Sequence, residues 1–189
     1  MKRLKSLLFL FLVLATSVCL AKEYHVSVKG SNSNESSVAN PFKTINHAAQ
    51  LAMPGDVITV HAGTYREWIN PARGGESDTK RIVYQAATGE NVEIMGSESD
   101  ANTTTIWANF QKSDPGKALI EISTRRTCFY PGKPGVNFIT IRGFNISQAA
   151  TQWAAPTAEQ IGMISTHWNK GWIIESQYWF PHCAKQRNL

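Results

Sequence analysis

Cysteine is scarce in this chain: three in 189 residues, one of them, Cys19, inside the N-terminal apolar run. No CxxC or HExxH pattern occurs, and His61, His167 and His182 lack metal-ligand spacing, so no catalytic metal and no cofactor are expected. A surface Ca²⁺ site built from loop Asp and carbonyl oxygens stays open. Cys128 and Cys183 could pair in an exported protein, but nothing fixes their distance, and two buried free thiols are the favoured alternative.

Long apolar runs are equally scarce. The one present, from Leu7 to about Val18, is well short of the ~20 residues that span a bilayer. It follows a basic start (Lys2, Arg3, Lys5) and precedes the small residue Ala21, the pattern of a secretory signal peptide over 1–21 with cleavage after Cys19-Leu20-Ala21. A secreted or periplasmic protein is expected, touching the membrane only through its export signal. A lipoprotein anchor on Cys19 is disfavoured by the bulky Val18.

Charge of one sign is also nearly missing. The formal net charge is +5, but the leader holds three of the 19 basic residues and none of the 14 acidic ones, leaving 16 against 14. That balance gives no ground for a nucleic-acid partner. Arg125, Arg126, Lys133 and Arg142 read as solvated surface charge, because the clustered Asp ligands that would accompany them in a Ca²⁺-dependent lyase groove are absent.

Helical periodicity occurs once. In PFKTINHAAQLAMPGD, Ile45, Ala48, Ala49 and Ala52 recur at three and four, one face of a helix that Thr44 can cap and Pro54-Gly55 stops. Everything else reads as short strands. YHVSVKG alternates Tyr24, Val26 and Val28 against His25, Ser27 and Lys29. PGDVITVHAGTYREW fences one strand between two glycine turns, and RIVYQA, NVEIMG, ALIEIS, NFITIRGFNIS and GWIIES follow. The runs around Ile94, Ile122 and Ile141 recur at about the length of one solenoid coil.

Short strands joined by long irregular connections argue against a sandwich or antiparallel barrel, which needs tight hairpins every 8–12 residues or so. They fit an all-β right-handed parallel β-helix of few coils, pectin-lyase-like, in which each strand stacks on the one a coil earlier. The open first coil of such a solenoid needs a cover, and the PFKTINHAAQLA helix would supply an N-terminal cap.

These residues carry a family likeness. PFKTINHAAQLA with GDVITVHAGTYREW, then RIVYQAATGENVEIMGSE, IWANFQKSDPG, RRTCFYPG, FITIRGFNISQAATQWAAPTAEQIG and HWNKGWIIE, resemble the β-xylosidases of glycoside hydrolase family 120 over most of residues 22–176. The resemblance implies a pectin-lyase-like β-helix acting on xylan-type oligosaccharides. Two departures accompany it. Where the family inserts a β-sandwich domain, Glu98 runs on into DANTTTIWANF, and no position corresponds to the family's nucleophile or acid/base, which sit on later coils. After Ser176 the alternation stops, and 177–189 reads as an irregular tail, possible product of a shifted frame. The expectation is therefore a β-helix domain over 22–176 that is an N-terminal fragment of a xylosidase-like enzyme with no catalytic residues of its own. The alternative is a non-catalytic carbohydrate-binding or cell-surface module on the same solenoid.

A glycosidase needs two converging carboxyl groups. Glu121 and Glu175 read as outward, solvated strand residues, and Glu159, in the loop TAEQ, as a groove-lining residue open to substrate contact. Trp172 starts a strand run and reads as core. Trp153 and Trp168 lie in the longest connection between strands, where an indole could take the apolar face of a sugar ring or simply pack the loop.

Overall fold

The computed structural model describes residues 21–98, 114, 117, 121–151, 155, 157–175 and 178–180. The leader, Trp153, Cys183 and most of the 177–189 tail lie outside the described residues.

Chain order is β1 (Glu23–Val26), helix α1 (Ile45–Leu51), β2 (Val57–Val60), β3 (Gly63–Tyr65), β4 (Ile82–Ala86), β5 (Val92–Met95), β6 (Ser97–Glu98), β7 (Ile122–Ser123), β8 (Ile139–Arg142), β9 (Asn145–Ser147), β10 (Ile173–Glu175) and β11 (Tyr178–Phe180). Strands pair with strands one coil away. The first sheet runs β1-β2-β4-β8-β10 and the second β3-β5-β9-β11, every pair parallel. A third face is reduced to single rungs, the parallel bridges Ile69 to Phe129 and Phe129 to Ile164. Three parallel ladders around one core make a right-handed parallel β-helix, the hand that strand–crossover–strand units take.

Register explains the core. Tyr24, Ile58, Tyr84 and Ile141 are successive Cα partners on the first face, and Tyr65, Ile94 and Ile146 on the second. All seven are buried, as are Ile69 and Phe129. The alternate residues form outward polar ladders: Thr59 Oγ1 donates to Glu23, Gln85 Nε2 donates to Thr59 Oγ1 at 3.1 Å, and Arg142 Nε donates to Gln85 Oε1 at 3.1 Å. Coil length is free, because only the rungs must align. Thr59 to Gln85 spans 26 residues and Gln85 to Arg142 spans 57.

Helix α1 forms as its spacing predicts, with Ile45, Ala48, Ala49 and Ala52 fully buried under the first coil. Thr44 caps it, accepting from the His47 N–H at 3.2 Å. The Pro54-Gly55-Asp56 turn has its own anchor: the buried Asp56 carboxylate accepts from the Lys22 and Met53 backbone N–H groups, both at 2.8 Å. Gly63, which opens β3, sits at φ +151° with Val28 so near that a Cβ would lie 2.7 Å from its Cγ1. Glycine is required there on both counts.

The structure corrects three sequence expectations. β1 ends at Val26, and Val28 is exposed rather than on the buried face. Ile94, Ile122 and Ile141 do not stack as successive coils. Ile94 belongs to the second face and Ile141 to the first, while Ile122 lies in β7, which pairs antiparallel with β6 at the base of the long third coil. A β-branched run reveals a strand but not the ladder it joins. The second-face ladder also continues past Ser176, with β11 pairing parallel to β9.

Candidate functional site

The third face positions the site. Its inward residues Ile69, Phe129 and Ile164 are single rungs; beside them Trp68 and Tyr130 face the cavity, while Cys128 stays buried. Trp68 precedes Ile69, Thr127 and Tyr130 flank Cys128 and Phe129, and Ile161 lies just before the third rung. Together with Thr124, Arg125 and Arg126 they line a cavity of about 340 Å³. Trp68 is 45% exposed and its Nε1 donates to the Tyr130 carbonyl at 3.0 Å. That bond fixes the indole across the coil boundary.

Tyr130 is the hub of an aromatic line. Its ring stacks on His167 at 4.9 Å and 12°, and His167 lies 5.6 Å from Trp168, tilted by 60°. The Tyr130 hydroxyl donates to Glu159 Oε2 at 2.9 Å. Burial, followed by the bond to Glu159 and its charge, pushes the phenol up to about 12, so at neutral pH it remains a donor. His167 Nδ1 donates to the Pro131 carbonyl at 2.8 Å.

His167 and Trp168 are consecutive non-glycine residues in the left-handed region, at φ 52° and 57°. Such conformations cost of order 1–3 kcal/mol each and persist where surroundings over-determine them. Asn169 supplies the constraint: its Nδ2 donates to the Thr166 carbonyl at 2.7 Å and its Oδ1 accepts from the Val136 N–H at 2.9 Å. The result holds the Trp168 indole 77% exposed on a fixed backbone.

Ion pairs pin the segment that leads into Thr124 and Arg125 of the cavity lining. Arg66 pairs with Glu121, and Arg66 Nη1 donates to Ser97 Oγ at 2.7 Å. Gln148 Nε2 donates to Glu121 Oε2 at 2.8 Å, and Arg125 pairs with Glu98. The Gln148 amide and then the Arg66 guanidinium hold the Glu121 carboxyl below the usual carboxylate range. Glu121 is therefore neither solvated nor part of a parallel coil strand, contrary to the sequence reading. Residues 124 and 125 both donate their backbone N–H to the Gly96 carbonyl, at 2.9 and 2.8 Å, which sets the wall that carries Arg126.

Of the sequence candidates, Glu159 and Trp168 meet on this one surface through Tyr130 and His167, while Trp153 lies outside the described residues. Trp172 packs into the core, edge-on to Phe129 at 5.8 Å, with its Nε1 donating to the Val136 carbonyl at 2.8 Å. Glu175 is exposed on β10. Trp68 and Tyr130 were not singled out from sequence, whereas Arg126 reads there only as solvated surface charge and His167 only as lacking metal-ligand spacing. The Trp-Ile and Phe-Tyr pairs at 68–69 and 129–130 carry the inward/outward alternation that could have found the first two. Among the described residues no group of three His, Cys, Asp or Glu could hold a metal ion.

With the fold and cavity in place, likenesses to known proteins become interpretable. The chain superposes on XylC, solved in complex with xylose, with a TM-score of 0.76 and 30% identity over 83% of this chain and 40% of XylC. Its coils resemble those of XylC. Residues 28–72, spanning α1 and the strands β2 and β3, match the family described as Protein of unknown function (DUF1565). The Bacillus subtilis (strain 168) protein YwoF, described as uncharacterized, is 38% identical over 78 residues, 41% of this chain and 16% of YwoF. A rhamnogalacturonan lyase shares 20% identity at a TM-score of 0.44 over 67% of this chain and 29% of its own. The chain thus spans less than half the length of each of these relatives.

Proposed function

We propose that this chain is an exported β-helix protein of the glycoside hydrolase family 120 type that binds xylan-type oligosaccharides on the Trp68–Tyr130–Trp168 surface without cleaving them. The observation that carries the reading is the aromatic cavity on the flank of the third face, in a solenoid that superposes on the XylC–xylose complex at a TM-score of 0.76. Indole and phenol rings offer flat apolar faces to the axial C–H groups of a pyranose, while Glu159, the Tyr130 hydroxyl and nearby backbone groups offer partners for its hydroxyls.

The carboxylates support the non-cleaving reading. Retaining hydrolysis needs two carboxyl groups about 5 Å apart across the scissile bond, one of them protonated. Around this cavity Glu121 and Glu98 are neutralised by Arg66 and Arg125, and Glu159 takes the Tyr130 hydroxyl. Among the described residues, none of the three is paired with a second carboxylate. The chain would act either as the sugar-holding front of a longer enzyme or as a binding module in its own right, with residues 1–21 serving as its export leader.

Calorimetric titration with xylotetraose tests the reading, alongside an aryl β-xyloside release assay. Saturable binding is expected, weakened about tenfold by Trp68→Ala, the size of one lost ring contact of roughly 1.4 kcal/mol. Release at enzyme-like rates would overturn non-cleavage, and an absence of binding would overturn the site.

A further inference from the structure

The cavity wall carries one arginine that no described residue pairs with. Arg66 is paired with Glu121, Arg81 with Asp78 and Arg125 with Glu98. Arg73 Nη1 donates to the Gln50, Leu51 and Ala52 carbonyls at the end of α1, and Arg142 is held by Gln85. Arg126, exposed on the wall, has no hydrogen bond or ion pair with any described residue. Its backbone is nonetheless fixed, because the preceding Thr124 and Arg125 N–H groups are tied to Gly96 and the following Thr127 hydroxyl donates to the Met163 carbonyl at 3.0 Å.

A planar guanidinium on a rigid wall, beside stacked aromatic faces, is a receptor for a carboxylate carried on a ring. Neutral pentoses offer it hydroxyl acceptors but no charge to pair with. The neighbouring charges do not cancel it: Arg125 is neutralised by Glu98, and the Glu159 carboxylate is partly satisfied by the Tyr130 hydroxyl, leaving lone pairs that suit sugar hydroxyls. The cavity volume of about 340 Å³ admits a monosaccharide-sized group.

We infer that this cavity recognises an oligosaccharide bearing a uronic acid, with the sugar ring against Trp68 and Tyr130 and its carboxylate on Arg126. The inference rests on the sugar-binding reading above and adds the class of sugar. Two sources share that chemistry, a glucuronate branch on a xylan backbone and a polyuronate.

Binding of the full chain is compared for three tetrasaccharide probes: xylotetraose, xylotetraose carrying one glucuronate branch, and tetragalacturonate. The branched probe should bind about tenfold tighter than the neutral one at low salt, with the advantage shrinking at high salt. Arg126→Gln should erase that advantage, Arg126→Lys should retain part of it as a point charge, and Arg142→Gln, which removes the same charge from the first sheet, should leave it intact. If tetragalacturonate matches the branched probe, the polyuronate is the source; if it does not bind, the branch is. Equal affinity for neutral and branched probes, or an advantage that survives Arg126→Gln, overturns the uronate assignment while leaving the sugar site standing. No binding of any probe overturns both.

Discussion

Arg66 and Glu121 lie 55 positions apart in the chain and meet because the third coil returns over the second. Both side chains are less than a third exposed, at 23% and 15%, so the pair gains more than a surface bridge does. Replacing Glu121 by Gln leaves the guanidinium without its counter-charge and should cost about 1–3 kcal/mol of stability at pH 7. The folded carboxyl titrates below its ordinary value of 4.5. Its stabilisation is therefore fully present above about that pH and is lost as pH falls through the folded value. Melting the wild type and Glu121→Gln from pH 7 to pH 3 should show their curves converging on the acid side, and a gap that stays constant would remove the ion pair from the argument.

Tyr84 makes the opposite case. It is fully buried, edge-on to Phe129 at 4.9 Å, and its hydroxyl has no hydrogen-bond partner among the described residues. An unsatisfied buried hydroxyl costs on the order of 1–3 kcal/mol. Tyr84→Phe keeps the ring and removes the cost, so urea denaturation should show a gain of about 1 kcal/mol, and a loss would reveal a partner for the hydroxyl.

At the scale of elements, the segment Arg66–Asn70 joins the cap, the core and the site. Arg66 holds the third coil, Trp68 walls the cavity and Ile69 fills the third-face column. Glu67 accepts from the Ile45 and Asn46 N–H groups at 2.9 and 2.8 Å, and Thr44 accepts from His47. Three of the four orphan donors at the start of α1 are thereby satisfied. Asn70 then binds Asn46 and Gly132, at 2.9 and 2.7 Å. Burial is the first cause that pushes the Glu67 carboxyl upward, against the two backbone bonds that draw it down. Thr44→Ala should cost about 1 kcal/mol. Glu67→Ala should cost more and also weaken xylotetraose binding, because it loosens the strip that carries Trp68; a binding constant unchanged by Glu67→Ala would uncouple cap from site.

Which of these elements could be read beforehand follows from how each is encoded. The helix face and the first two strands are legible because a single period, 3.6 or 2, runs over several residues with the apolar side facing one core. The third face escapes because each coil contributes only one rung to it, too little for any period, and the aromatic site hangs on those rungs. The long third coil misleads for a related reason: a β-branched run such as that at Ile122 is identical in sequence whether it joins a parallel ladder or, as here, an antiparallel pair. Glu121 was misread with it, since its partners Arg66 and Gln148 lie far away along the chain.

For the molecule as a whole, each sheet of a solenoid has an edge strand at either end, and β10 is one such edge of the first sheet. β10 pairs with β8, and among the described residues no strand pairs with its other side. Ile174 extends the column of Tyr24, Ile58, Tyr84 and Ile141, yet it is 39% exposed where those four are buried. A flat apolar edge of this kind templates pairing with another chain, and charge on the edge is the common natural remedy. The wild-type chain should therefore self-associate as its concentration rises, whereas Ile174→Lys should hold it monomeric. The substitution should cost little stability, because the side chain is already half in water. Sedimentation velocity across a hundredfold concentration range decides the matter: wild-type boundaries that stay monomeric throughout, or association that Ile174→Lys does not reduce, would place the contact elsewhere on the molecule.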